Sequence, residues 1–359
     1  MRTRPRRVVA VLAAAVITAA IVYGGPITTG PATVQPVVPD APAQSRHVGG
    51  VALGSGEPAN PRRRADYAAL RAMNASWVRS DIDWRAVEES PGRWDFSRYD
   101  PVVADAHAAG LRHLAILHTA PAWANNGAGA YAPPRQLVWL REYCRRAAER
   151  YIPRGVRDYE IGNEVNLPHP GRARPTAPAY VRQLLQPCAL GVRSAARHLG
   201  VQVNVVLGSV VPGGTGPADP VRFLTDVYRA GGGPLFDTVS VHPYTRPLAP
   251  AASDHLDGFV ERIYEVMRAH GDAGKTIWAT EYGYPTAGPH STSEQRLATY
   301  VDTAVDLWYS HPFAGPLFWY SARDTGVDRG DDEQHFGLLR HDGSAKPTYP
   351  ALAARFTRR

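Results

Sequence analysis

The sequence predicts an α/β fold: a single (β/α)8 TIM barrel, preceded by an N-terminal signal or anchor and a short disordered linker. Three observations predict it. After residue 46 one unit repeats: a short apolar β-rich run, a polar or Gly/Pro-rich loop, then an amphipathic helix. Eight such units fit into roughly 310 residues, the arithmetic of a closed eight-stranded barrel. The runs are also nearly continuous in apolar character, as expected of parallel strands covered on both faces. A doubly wound open sheet is the alternative, but Gly49, Gly50, Gly54 and Gly56 do not follow a G-x-G-x-x-G pattern.

The candidate strands, in order, are 48–54, 76–82, 112–118, 156–162, 201–209, 237–243, 276–282 and 315–320. Helical period links them. Leu137, Leu140, Cys144, Ala147 and Tyr151 form one stripe, and Leu256, Phe259, Val260, Ile263 and Met267 a second. Leu297, Tyr300, Val301, Ala304 and Trp308 form a third, behind a Thr292 and Gln295 pair at capping-box spacing. Gly110 and Gly271 stand where helices should stop.

Ahead of the barrel, four arginines precede an apolar run from Val8 to Tyr23, so 1–23 reads as a signal peptide or an uncleaved signal anchor. Residues 24–46, rich in Pro, Ala and Thr, read as a linker, and 47–359 as the barrel domain. The expected location is secreted or extracytoplasmic, with a membrane tether through residues 8–23 as one form of it. The 359-residue chain carries 40 Lys+Arg against 33 Asp+Glu, a net +7. Arg2, Arg4, Arg6 and Arg7 against Asp40 account for +3 of this, leaving +4 for the rest, too little to argue for nucleic acid. Cys144 and Cys188 suit either a disulfide or two buried thiols.

In a barrel the C-terminal ends of the strands form the functional face. Those positions hold Arg79, Asp81, His118, Trp123, Asn163, Glu164, His242, Tyr244, Glu281, Trp319 and Tyr320. Carboxylates, amides and large aromatics at one mouth suit a neutral, hydroxyl-rich ligand such as a sugar. Glu164 and Glu281 each end a strand, and cleavage of a glycosidic bond needs two carboxyl groups across it with different pKa values. Arg79 and Tyr244 would hold Glu281 charged, and that charge would keep Glu164 protonated. No HExxH or H-x-H pattern marks a metal site, and no cofactor is expected. No G-x-S-x-G elbow marks a serine nucleophile.

Six segments then carry a family resemblance: WVRSDIDWRAVEESPGRWDFSRYD, HTAPAWA, YEIGNE, VSVHPY, WATEYGYP and HFGLLRHDGSAKPTYPAL. In this order, over nearly all of 47–359, the chain resembles the retaining clan A glycoside hydrolases, with the texture of families 39 and 5. The resemblance implies Glu164 as acid/base, Asn163 on the sugar 2-hydroxyl and Glu281 as nucleophile. It further implies Arg79 bracing the nucleophile, His242 and Tyr244 beside it, and Trp319 flooring the cleft, with His118 and Trp123 lining it. The first strand and Ser209 at the end of the fifth offer no assignable side chain. The expected activity is cleavage of a β-linked poly- or oligosaccharide by a monomer through double displacement. A carbohydrate-binding barrel without turnover and a transglycosylase are the alternatives.

Overall fold

The computed structural model describes residues 48–54, 56–169 and 176–357. The expected signal or anchor and the linker lie outside the described residues. Eight parallel strands close into a barrel in chain order: β1 Gly49–Ala52, β2 Trp77–Asp83, β3 Arg112–His118, β4 Asp158–Ile161, β5 Asn204–Leu207, β6 Thr238–Val241, β7 Thr276–Tyr282 and β8 Ala314–Tyr320. Pairing of β1 with β8, Gly50 opposite Phe318, completes the ring. Each strand leads to a helix, from Arg63–Ala72 after β1 to Thr348–Thr357 after β8. Among the described residues no helix is long and apolar enough to cross a membrane.

Two cores follow from strand alternation. Outward residues such as Val78, Leu117, Tyr159, Leu207, Ala279 and Trp319 pack under the helices in one large cluster. Inward residues Ala52, Trp77, Leu114, Val206, Trp278 and Phe318 fill the lower barrel. Each aliphatic side chain so buried contributes roughly 1.5–3 kcal/mol. Above that plug the next interior layer is polar, with Arg79, Glu160 and Ser240 all buried. This departure from an aliphatic interior is where the chemistry begins.

The predicted helix stripes are buried except at Leu137, which is exposed, and Tyr300, which is half-buried. Ser293, not Thr292, caps the helix Glu294–Tyr309, its Oγ accepting from the Arg296 N–H at 3.3 Å. The helices Leu137–Tyr151 and Gln186–His198 approach so closely that a Cβ at Gly191 would stand 2.3 Å from the Arg141 carbonyl oxygen. A Cys144–Cys188 disulfide joins them there, with Cα atoms 5.2 Å apart.

Among the described residues Glu57 and Glu88 are buried with no ion pair, and Glu57 carries the larger consequence. Glu57, in the loop after β1, is pushed from 4.5 up to about 7 by burial, against weaker relief from Asn60 and Tyr67. A raised folded-state value means the native state binds the proton more tightly. Stability is therefore fully present below about pH 4.5 and falls as pH rises towards 7. Glu57→Gln is expected to gain up to about 3 kcal/mol at pH 8 and nothing at pH 4. Thermal unfolding of both proteins at the two pH values checks this, and an equal change at both would refute it.

Candidate active site

Six of the predicted site residues meet at the barrel mouth. Arg79, only 1% exposed, rises from β2 and divides its guanidinium three ways. Its Nε donates to Glu160 Oε2 at 2.6 Å, Nη1 to Glu281 Oε1 at 2.5 Å and Nη2 to Asn163 Oδ1 at 2.7 Å. Burial alone would discharge it, but Glu160 and Glu281 outweigh that cost and raise its pKa above the ordinary arginine value. With Oδ1 engaged, Asn163 offers the pocket its Nδ2 amide. The Tyr244 hydroxyl donates to Glu281 Oε2 at 2.8 Å, so both oxygens of that carboxylate are held. Burial and the charge of Glu281 push the Tyr244 hydroxyl well up, which keeps it a donor.

Glu281 faces inward because β7 is irregular. Ala279 pairs with Leu317 and Tyr282 with Trp319, so three steps on β7 match two on β8. The extra residue lets consecutive side chains, Thr280 and Glu281, both reach into the barrel. Glu164 owes its direction to a left-handed backbone, φ 47°, a conformation uncommon outside glycine. Ser209, silent in the sequence, holds that turn: its Oγ accepts the Glu164 N–H at 2.9 Å and its carbonyl accepts the Val165 N–H at 2.9 Å.

His242, fully buried, stands between the two glutamates. Its Nδ1 is 3.1 Å from Glu164 Oε1 and 3.5 Å from Glu281 Oε2. One oxygen of each glutamate and a ring nitrogen lie within 4.8 Å of one another. The side chains of Glu164 and Glu281 are 27% and 14% exposed, so both reach the cavity. Burial pushes the Glu164 carboxyl up. The hydrogen bond and charge of His242, with His169 and Arg79 behind it, outweigh burial and hold it below the ordinary carboxylate value. This corrects the expectation that Glu281 keeps Glu164 protonated. The charge of Glu281 is compensated by Arg79 and Tyr244, and His242 is the nearer neighbour.

The pocket above these groups measures about 310 Å³ and is bounded by Leu53, Asp81, His118, Tyr131, Tyr320 and Phe336 among others. His118 is there as expected, its Nε2 3.2 Å from Asp81. Two expected aromatics are not. Trp319 is 0% exposed and points outward, edge-on to Tyr282. Since Phe318 faces inward, the inward residue two places on is Tyr320, and it lines the pocket in place of Trp319. Trp123 packs among Trp84 and Trp139 and donates its indole N–H to the Glu88 carbonyl, outside the pocket lining. Sequence reasoning also missed Glu160 and Tyr131. Glu160 shares the four-residue strand β4 with Asp158, so no isolated acid marked it.

Among the described residues two triads have ligand-capable spacing, Glu164–His242–Glu281 and Asp257–Glu261–His311. In the first, hydrogen bonds already engage both Glu281 oxygens and both His242 nitrogens.

Residues 196–348 match the family model of the glycosyl hydrolase catalytic core. No curated protein sequence matches the chain. Among solved structures, a family 39 glycoside hydrolase from Bacteroides cellulosilyticus WH2 superimposes with a TM-score of 0.69 at 22% identity, over 86% of this chain and 63% of that one. This chain thus spans less than two thirds of that protein's length. A GH5_18 protein from Streptomyces cattleya, solved with GlcNAc, gives 0.67 at 18% identity, over 87% of this chain and 80% of that one. A GH5_18 variant from Bifidobacterium longum, solved with Manβ1-4GlcNAc, gives 0.64 at 17%, over 85% and 76%. Residues 196–348 are thus similar to a glycosyl hydrolase catalytic core, and the chain shares its barrel fold with these solved glycoside hydrolase structures.

Proposed function

We propose that the chain is a retaining glycosidase acting on a neutral, β-linked oligo- or polysaccharide. The observation that carries this reading is the close approach of Glu164 and Glu281, one oxygen of each within 4.8 Å at the floor of one pocket. Retaining enzymes hold their carboxyl groups about 5–5.5 Å apart, whereas inverting ones leave about 6.5–9.5 Å for a water. Glu281, fixed through both oxygens, attacks the anomeric carbon. The pair formed by Glu164 and His242 supplies a proton to the departing oxygen. A water then enters, gives up its proton to Glu164 and releases the sugar from Glu281. The Asn163 amide faces the sugar's hydroxyls, and Tyr320 and Tyr131 provide ring faces for stacking.

The lining supports a substrate class. The pocket continues through Asp81, His118 and Tyr131 into a second cavity of about 400 Å³. Through Arg246 and Glu333 it continues into another of about 580 Å³. Cavities adjoining the pocket on two sides support internal cleavage of a chain. Asp81, Glu333, Asp331 and Asp332 along it disfavour an anionic polysaccharide. The sugars bound by the GH5_18 structures, GlcNAc and Manβ1-4GlcNAc, make β-linked mannose- and glucose-type chains the first substrates to try.

The test is proton NMR of fresh hydrolysate from a panel of β-mannan, β-glucan and xylan, with products sized. The expected first product is the β-anomer, in fragments longer than a monosaccharide. An α-anomer as first product would overturn the mechanism, and monosaccharide alone would overturn the internal cleavage.

A further inference from the structure

We infer that Glu160 and Thr280 are positioning residues that fix the tautomer of His242 and so keep the acid's proton between His242 Nδ1 and Glu164. The inference rests on the assignment of Glu164 as acid/base and on the number of hydrogens available around His242. Glu160 is fully buried on β4 and as a carboxylate can only accept. Its Oε2 accepts from Arg79 Nε, and its Oε1 faces the Ser240 hydroxyl at 2.9 Å and the Thr280 hydroxyl at 3.2 Å. The single Ser240 hydrogen has the Leu207 carbonyl nearer, at 2.7 Å, which leaves Oε1 to accept from Thr280. A threonine hydroxyl has one hydrogen. With that hydrogen on Glu160, the Thr280 oxygen can only accept from His242 Nε2, which lies 3.2 Å away. Nε2 therefore carries hydrogen whether the ring is neutral or charged, and Nδ1 is the nitrogen whose occupancy changes.

Nδ1 faces Glu164 Oε1 at 3.1 Å. Two bare acceptors at that distance repel, so one hydrogen belongs between them. A neutral ring receives it from protonated Glu164, and a charged ring donates it to ionised Glu164. The proton delivered to the leaving oxygen is this one. Once it has gone, the facing lone pairs make Glu164 a better base for the incoming water. The opposite tautomer, with hydrogen fixed on Nδ1 of a neutral ring, would stabilise the Glu164 carboxylate and weaken the acid. The charged and titratable groups around this chain are Arg79 from β2, Glu164 and His169 after β4, Tyr244 after β6 and Glu281 from β7.

The test uses the full chain with Thr280→Val, which removes the hydroxyl, and Thr280→Ser, which keeps it. The probes are phenyl and 2,4-dinitrophenyl β-D-glucosides and β-D-mannosides. Phenol needs a proton to leave and dinitrophenol does not. Thr280→Val is expected to lose about 10–100-fold in kcat/KM on the phenyl glycosides and less than about 3-fold on the dinitrophenyl ones. The basic limb of its pH profile should move down, and Thr280→Ser should recover. Equal loss on both leaving groups, or none on either, would overturn the inference. ¹⁵N NMR of the histidine rings reads the tautomer without turnover, with the His242 signal assigned through His242→Gln. Nε2–H is expected in the wild type, and a neutral Nδ1–H ring would overturn the inference. Phenol release unchanged in Glu281→Ala would instead count against the glycosidase mechanism and leave the NMR result standing.

Discussion

Glu281→Ala is expected to lower kcat/KM on a β-linked oligosaccharide by at least about 10⁴-fold, the scale on which loss of a nucleophile acts. The fold should survive. Glu281 is partly exposed at the mouth, and its loss leaves Arg79 with Glu160 and Asn163 as partners. It also removes one of the two carboxylates flanking His242. Thermal unfolding should therefore shift by no more than a few degrees. Glu164→Ala should be gentler, about 10²–10⁴-fold, and gentler still on substrates with good leaving groups, because only proton transfer is lost. Steady-state kinetics beside circular dichroism checks both. More than a tenth of wild-type activity in Glu281→Ala would contradict the assignment.

Arg79→Met is expected to damage stability and activity together. Arg79 and Glu160 are 1% and 0% exposed, and removing the guanidinium leaves a charge sealed inside the barrel. Breaking such a pair costs about 3–5 kcal/mol. Spread over a domain of this size, that is on the order of 10 °C in Tm. Activity should fall as well, since Glu281 loses its strongest partner and Asn163 its anchor. The informative comparison is Arg79→Met with Glu160→Leu. Without the orphaned charge the double variant should regain at least half the lost stability and none of the activity. Denaturant unfolding and kinetics on the three proteins decide it. A single variant less than about 1 kcal/mol below wild type would mean that the buried pair is compensated in some other way.

Much of this site was legible in the sequence because a barrel gathers the C-terminal ends of its strands at one face. That single rule brings Arg79, Asn163, Glu164, His242, Tyr244 and Glu281 together although they are up to 202 positions apart. What it could not deliver was which of two neighbours faces inward. In Trp319-Tyr320 both residues are large aromatics on a strand apolar on both sides, so alternation leaves no mark. The choice is made by Phe318, which packs with Trp77 and Trp278 in the barrel plug and sends Tyr320 to the mouth. Trp123 was misplaced for a related reason. It follows the strand-three end, yet Trp84 and Trp139 form an apolar socket that draws it away from the cleft.

Glu160 and Ser209 were illegible for a different reason: each acts through a residue on another strand. Glu160 is one of two acids on β4 until closure sets Arg79, Ser240 and Thr280 around it. Ser209 is an ordinary strand-end serine until the Glu164 turn comes to rest on its hydroxyl. The ionisation of Glu164 likewise depends on a 3.1 Å approach of His242 that no spacing along the chain encodes.

In the proposed mechanism Glu281 forms a covalent bond to sugar while Glu164 manages the proton. Incubating the full chain with 2-deoxy-2-fluoro-β-D-glucosyl and -mannosyl fluorides, followed by peptide mass spectrometry, tests it most directly. One added sugar per chain is expected, carried by the peptide that contains Glu281 and absent from Glu281→Ala. A sugar found on any other residue, or release of fluoride with no adduct and an inverted product, would contradict it.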